Sequence, residues 1–221
     1  MTLQGPITEP YLLAVEGKDD ENFFRRLMDK RGISGIDIRR YREDPSGKLH
    51  TELDVLLKQR GFGENVRGYA VVRDANSDAN AAMASIQDAL RKLDEPCPNQ
   101  PGEFASDARR KVGVLLIPPG RPNGCLEDLC LDIAAKHDVM ECAEAFMECL
   151  RERCPRKPSG APRDVAKAFF PRHASKAKAQ AFMAGLYDSP HEIGRAAQWD
   201  YWDWESPELK GIIQFLNELA S

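Results

Sequence analysis

The sequence predicts an α/β protein, a Rossmann-like sheet of about four mostly parallel strands flanked by helices, with a mainly helical C-terminal extension. Short apolar runs alternate with segments of helical periodicity through residues 1–137. Strands separated by helices are typical of a parallel sheet that is covered on both faces. Beyond that point helical patterns continue without strand signals. We therefore predict an α/β domain over residues 1–137 and a helical subdomain over residues 138–221 that packs on it.

The first two strand and helix pairs follow one another closely. Tyr11–Val15 reads as a short buried strand, and Glu21–Lys30 repeats its apolar residues at helical spacing. Ile36–Tyr41 alternates apolar and charged residues, which is typical of an outer strand. Lys48–Gln59 places its leucines on one helical face before two glycines end it.

Two further pairs complete the predicted sheet. Tyr69–Val72 is the third strand, and Asp78–Leu93 is an alanine-rich helix with a polar cap at its start. A proline-rich polar loop around Cys97–Ser106 follows. Val112–Ile117 is the most apolar strand, and a helix is predicted from Cys125 to Lys136.

Composition excludes several classes of protein. The longest apolar stretches are much shorter than the roughly 18 residues that a membrane-spanning helix needs, and no export signal is recognisable, so we expect a cytoplasmic protein without a membrane partner. The six cysteines include no CxxC pair, so we expect free thiols rather than a zinc site. The net charge of −4 argues against binding nucleic acid by bulk attraction.

A basic stretch and an aromatic cluster in the C-terminal third each allow two interpretations. The basic stretch over residues 151–178 is a solvated helical face or a phosphate-facing patch, with candidate nucleic-acid-binding residues Arg172, Lys176 and Lys178. The aromatic residues could stack on bases or be buried against the sheet, and burial is favoured because large aromatic side chains most often serve cores: Trp199, Tyr201, Trp202 and Trp204.

Acidic residues follow three of the predicted strands. Glu16 follows the first strand, Asp74 the third, and Glu127 lies at the start of the helix after the fourth. Side chains just beyond the carboxyl ends of parallel strands converge on the crevice where ligands bind. Mg²⁺ (or Mn²⁺) prefers such oxygen ligands together with substrate phosphate. Gly17 would let the backbone turn sharply there, and Lys18 could neutralise a phosphate oxygen.

The order and placement of these motifs resemble the Toprim domain, which topoisomerases, primases, recombination proteins and OLD-type nucleases share. Val15–Asp20 matches its glutamate motif and Asp74–Asp78 its Asp-x-Asp motif, and the resemblance covers roughly residues 10–135. The sequence looks closest to an uncharacterised prokaryotic Toprim-related family that adds a segment like Pro122–Leu129 and a tail like Lys176–Gln180 with Trp202. The resemblance implies that Glu16 is a general acid/base or metal ligand, that Asp74 is a metal ligand and that Glu127 is a further ligand.

One departure from the Asp-x-Asp pattern lowers the expected metal affinity. Asn76 replaces the second acid and offers a neutral carbonyl oxygen. Asp78 either compensates as a ligand or caps the following helix. The predicted metal ligands are thus Glu16, Asp74, Asn76, Asp78 and Glu127, and the predicted catalytic residues are Glu16 and Lys18.

Two functions from different classes follow. The first is a Mg²⁺-dependent phosphoryl-transfer enzyme, a nuclease-like protein acting on DNA or RNA. The second, which Asn76 favours, is a non-catalytic module that binds nucleic acid or a nucleotide, as a regulatory partner of an ATPase. A small-molecule phosphotransferase ranks third, because the sequence has no GxxxxGK[ST] or GxGxxG loop to hold a nucleotide. The sequence predicts no oligomeric state.

Overall fold

A computed structural model describes residues 5–41, 48–157 and 169–221. Within these ranges one five-stranded sheet forms, from β1 Tyr11–Val15, β2 Ile36–Arg40, β3 Gly68–Asp74, β4 Phe104–Ser106 and β5 Lys111–Ile117. The strand order is β2-β1-β3-β5-β4. The first four strands in that order run parallel, and β4 pairs with β5 in the antiparallel direction at the edge.

Helices cover both faces of the sheet. They are α1 Lys18–Arg31, α2 Leu49–Leu57, α3 Phe62–Asn65, α4 Ala79–Lys92, α5 Leu126–Ile133, α6 Val139–Arg153, α7 Ala174–Ala184, α8 Ile193–Gln198 and α9 Lys210–Leu219, with a 3₁₀ turn at Pro207–Leu209. The predicted α/β fold with C-terminal helices is confirmed. No helix in the described ranges is both long and apolar enough to cross a membrane.

The alternation of side chains along the strands divides the core into two clusters. Residues such as Leu12 and Val71 face α2 and α4, whereas Leu13 and Val72 face α1, α5 and the C-terminal helices. The predicted burial of the aromatic segment is confirmed for Trp202 and Trp204, which belong to the second cluster. The C-terminal helices therefore share a core with the sheet, and the division between residues 137 and 138 stays a prediction.

Several elements differ from the sequence prediction. β3 continues through Arg73 and Asp74, and the short helix α3 has no predicted counterpart. The segment that reads as a polar loop contains β4, whose three residues are too few to show an alternating pattern and which pairs only at the sheet edge. The first helix begins at Lys18 rather than Glu21, because Asp20 accepts a hydrogen bond from the Gly17 backbone N–H at 2.9 Å and so caps the first turn. β1 and β5 end where the sequence predicts, whereas β3 ends two residues later, so Asp74 is its last residue rather than a residue beyond it.

Candidate metal centre

The carboxyl ends of β1, β3 and β5 lie side by side and open into one cleft. Glu16 follows β1 directly, and Asp74 is the last residue of β3, in register with Ile117 at the end of β5. The cleft has a volume of about 400 Å³. We call it the acidic cleft, because six carboxylates line it: Glu16, Asp19, Asp20, Asp74, Glu127 and Glu192.

The loops after β3 and β5 are joined by backbone hydrogen bonds that fix the floor of the acidic cleft. The Asn76 N–H donates to the Gly124 carbonyl at 2.6 Å, and the Gly124 N–H donates back at 2.7 Å. Gly124 has a φ of 128°, and a Cβ there would lie 2.7 Å from Cδ of Pro118, so both conformation and space require glycine. The joined loops place the start of α5 beside Asp74, whose Oδ1 accepts a hydrogen bond from the Leu126 N–H at 3.0 Å.

Three potential metal ligands meet at this point. One ligand atom each from Asp74, Cys125 and Glu127 lies within 4.8 Å of the other two, the one such group in the described residues. The two carboxylates are the hard oxygen donors that Mg²⁺ and Mn²⁺ prefer, and Mg²⁺ commonly uses one or two of them with water and phosphate completing its octahedron. The two carboxylates of this group therefore fit a hard divalent cation, whereas the Cys125 thiol is a soft donor that such a cation does not require.

The electrostatics of the acidic cleft also fit a cation. Burial, together with the nearby carboxylates of Asp20, Glu16 and Glu127, raises the pKa of Asp74 to about 8. Burial, with a smaller contribution from Glu16, raises the pKa of Asp20 to about 6. Such shifts mean that the carboxylates repel one another in a poorly hydrated space. A divalent cation would relieve this repulsion.

Two lysines border the acidic cleft. Lys18 is exposed at the start of α1, and Lys176 lies in the first turn of α7 with its Nζ 3.3 Å from Oε1 of Glu127. Partial burial alone would lower the pKa of Lys176, but the Glu127 carboxylate outweighs this effect and raises it. The Lys176 ammonium therefore stays charged, and both lysines lie where they can face a phosphate at the rim of the cleft.

The remaining predicted ligands lie away from the acidic cleft. Asn76 has a φ of 54° and donates from Nδ2 to the Asp74 carbonyl oxygen at 3.2 Å, so its side chain folds back on its own loop. Asp78 caps α4: its Oδ1 accepts hydrogen bonds from the N–H groups of Asn80 at 2.9 Å and Ala81 at 3.2 Å. Of the two roles that the sequence allows for Asp78, the structure displays the helix cap. Their role as metal ligands stays a prediction.

Nearly the whole chain matches one protein-family model. A model described as "Protein of unknown function (DUF3226)" matches residues 10–221. The chain belongs to the DUF3226 family. No curated protein matches this DUF3226 chain.

Two solved structures are similar to the DUF3226 chain. Both are of the C-terminal region of the OLD protein of Xanthomonas campestris pv. campestris. The one phased with mercury is 13% identical and covers 96% of each chain at a TM-score of 0.44. The one phased with platinum is 14% identical, covers 96% of this chain and 94% of that chain, and has a TM-score of 0.45. At these values the similarity does not bear on function.

Lys178 lies apart from the other predicted nucleic-acid-binding residues, which are Lys18, Arg172 and Lys176. The ammonium of Lys178 lies 2.9 Å from Oε1 of Glu144 on α6. Arg172 is exposed, and it makes no ion pair with any residue in the described ranges. Arg172 and Lys176 line one cleft together, and Lys176 also lines the acidic cleft, whereas Lys178 faces α6.

Sequence reasoning missed four residues that line or adjoin the acidic cleft: Asp19, Asp20, Cys125 and Glu192. Asp19 and Asp20 belong to the Val15–Asp20 motif, and their position directly after Lys18 is the signal that they line the same cleft. Glu192 carries no sequence signal, because α8 packs on α1 and brings it there from far along the chain. The chain bends at Glu16 and Gly17 between β1 and α1, as predicted, but Gly17 has a φ of −137°, which other residues also adopt, so the bend does not depend on glycine.

Proposed function

We propose that the protein is a divalent-metal-dependent phosphodiesterase that acts on nucleic acid, with its reaction in the acidic cleft. The convergence of Asp74 and Glu127 beside the end of β1 is the observation on which the proposal depends. Asp74 and Glu127 would hold Mg²⁺ or Mn²⁺, with Glu16 as a further ligand or as general base. When bound, the metal would polarise the phosphoryl oxygen and lower the pKa of water.

The side chains around the acidic cleft can perform the remaining steps. Lys18 and Lys176 donate charge-assisted hydrogen bonds to phosphoryl oxygens and so hold the scissile group against the carboxylates. Glu16 accepts a proton from the water that attacks phosphorus. The bond from phosphorus to the leaving oxygen then breaks, and that oxygen takes a proton from solvent. The resemblance of the glutamate and Asp-x-Asp motifs to the Toprim domain supports the same reaction class.

The test is cleavage of plasmid DNA, single-stranded DNA and RNA with Mg²⁺ or Mn²⁺. We expect Glu16→Gln, Asp74→Asn and Glu127→Gln each to reduce cleavage by at least about 100-fold, since each removes charge from the cleft. Glu208→Gln is the matched control, because Glu208 is exposed, lies outside the acidic cleft and has no ion partner in the described residues. Cleavage that survives all three cleft substitutions would exclude this site.

A second function has a specific observation in its favour. Asn76 is neutral and its side chain turns toward its own loop. This segment therefore supplies one carboxylate fewer than the Asp-x-Asp motif of the Toprim domain that it resembles. A non-catalytic domain that binds nucleic acid or a nucleotide, as the partner of an ATPase, is compatible with such a site. Calorimetric titration distinguishes the two functions: Mg²⁺ binding without cleavage of any substrate supports the binding module. Copurification of an ATPase with the tagged protein would test the partner.

A further inference from the structure

A second cleft adjoins the acidic cleft and shares Lys176 with it. It has a volume of about 590 Å³. Three segments form its walls: the loop after β3, the loop between β5 and α5, and the start of α7. Cys125 also lines it, and the Cys125 thiol is within 4.8 Å of the Asp74 and Glu127 carboxylates. The two clefts are therefore separated by little more than one side chain.

The second cleft differs from the acidic cleft in charge. Its single acid is Asp128, and the carboxylate of Asp128 is already engaged. Oδ1 of Asp128 accepts a hydrogen bond from the Ser175 hydroxyl at 2.5 Å, and Oδ2 accepts from the Cys125 N–H at 2.9 Å. Arg172 and His173 are exposed at the rim, and neither makes an ion pair with a described residue.

Neutral donors line the rest of the second cleft. Ser77 and Asn123 are both exposed there and present a hydroxyl and an amide group. A surface of arginine, lysine, hydroxyl and amide groups is the kind that contacts a sugar–phosphate backbone. The acidic cleft lacks this character, because its six carboxylates repel a polyanion wherever a cation does not neutralise them. A nucleic-acid strand with one phosphate in the acidic cleft therefore needs a second site to bind its next phosphate.

We propose that the second cleft binds the phosphodiester adjacent to the scissile one, so that the substrate is a nucleic-acid strand lying across both clefts rather than a mononucleotide. This inference rests on the proposed function. Lys176 stands between the two phosphates, and Arg172 is the main cation for the adjacent one. Lys178 takes no part, because Glu144 pairs with it on the other side of α7.

Binding of a fluorescein-labelled single-stranded oligonucleotide tests the proposal, with Ca²⁺ in place of Mg²⁺ to prevent cleavage. Arg172→Ala should weaken binding about tenfold, as expected for the loss of one hydrogen-bonded charge. It should also make the slope of log affinity against log salt shallower by about 0.7, the value for one phosphate contact on a single strand. Lys210→Ala is the matched control, because Lys210 is exposed and lines neither cleft.

The slope of log affinity against log salt distinguishes a lost phosphate contact from a local structural defect. A variant that only misfolds locally loses affinity but keeps the same slope. Equal slopes for Arg172→Ala and the unsubstituted protein would overturn the proposal. So would inorganic phosphate binding as tightly as the strand with the same dependence on Arg172. If the slope changes as expected but no substrate is ever cleaved, the second cleft stands as a strand-binding site and the phosphodiesterase function alone fails.

Discussion

Replacing Asp74 by Asn should make the metal-free protein more stable while abolishing its response to Mg²⁺. Burial raises the pKa of the Asp74 carboxyl, and with the smaller effects of the nearby Asp20, Glu16 and Glu127 carboxylates that pKa reaches about 8. Folding therefore requires Asp74 to take up a proton or to hold its charge in an unfavourable place. Asn keeps an oxygen that can accept the Leu126 N–H and has no charge.

The size of the expected gain in stability follows from the shift in the pKa of Asp74. In the unfolded chain an Asp ionises with a pKa of about 3.9, so a folded-state pKa of about 8 costs about 4 kcal/mol of stability at pH 7. Below pH 4 the carboxyl is protonated in both states and the cost disappears. It grows as pH rises from 4 to 8 and is constant above that. Because Asp20 is coupled to Asp74, the gain measured for Asp74→Asn should be at most this figure.

Urea unfolding, followed by the fluorescence of the three tryptophans, measures the effect in EDTA at pH 4.5 and pH 8. Asp74→Asn should unfold at higher urea than the unsubstituted protein at pH 8, with a much smaller difference at pH 4.5. Saturating Mg²⁺, at about 100 times its Kd, should then stabilise the unsubstituted protein by about 2.7 kcal/mol and the variant far less. A variant that is less stable at pH 8, or equally stabilised at both pH values, would refute this reasoning.

Two further predictions concern the scaffold. The Arg26 guanidinium hydrogen-bonds Asp200 and holds the pKa of that carboxyl below its usual range, so Asp200→Asn should lose about 1 kcal/mol or less at pH 7 and a smaller amount at pH 2, where the carboxyl of the unfolded chain is protonated. Urea midpoints at the two pH values check this, and an equal loss at both contradicts it. Gly61→Ala should cost about 2 kcal/mol or more, because Gly61 has a φ of 90° and a Cβ would clash with the Ile7 carbonyl oxygen. Thermal melts against Gly63→Ala, where nothing lies within 4 Å of the added Cβ, check it, and equal melting temperatures would contradict it.

The sequence was informative where local patterns carried the signal. The apolar run Tyr11–Val15 is a strand with the predicted bounds, because a short central strand buried on both faces needs every residue to be apolar. The end of this strand determines the position of Glu16, which follows it directly. The end of β3 determines the position of Asp74 in the same way. Adjacent strand ends in a parallel sheet then bring these carboxylates to one cleft without any further information.

The sequence was uninformative where position depends on packing between distant segments. Glu192 reaches the acidic cleft because α8 packs closely on α1: a Cβ at Gly194 would lie 2.8 Å from Cβ of Asn22, and the Gly194 N–H donates to Asp19 at 2.9 Å. Lys178 falls outside the clefts because α7 packs on α6 and pairs it with Glu144. No pattern within either segment predicts these contacts, since each depends on a partner more than 30 residues away.

The carboxylates of the acidic cleft do not all contribute to the stability of the fold. Asp19 and Asp20 accept hydrogen bonds from backbone N–H groups, at Gly194 and Gly17, and so contribute to helix capping and helix packing. Asp74 also accepts one, from Leu126, but Asn would accept it equally well without the cost of a buried charge. The negative charge at position 74 therefore opposes folding and adds no hydrogen bond that a neutral residue would lack. The proposed divalent cation would account for a charge of this kind, which is why Asp74→Asn separates the stability of the fold from the proposed function of the site.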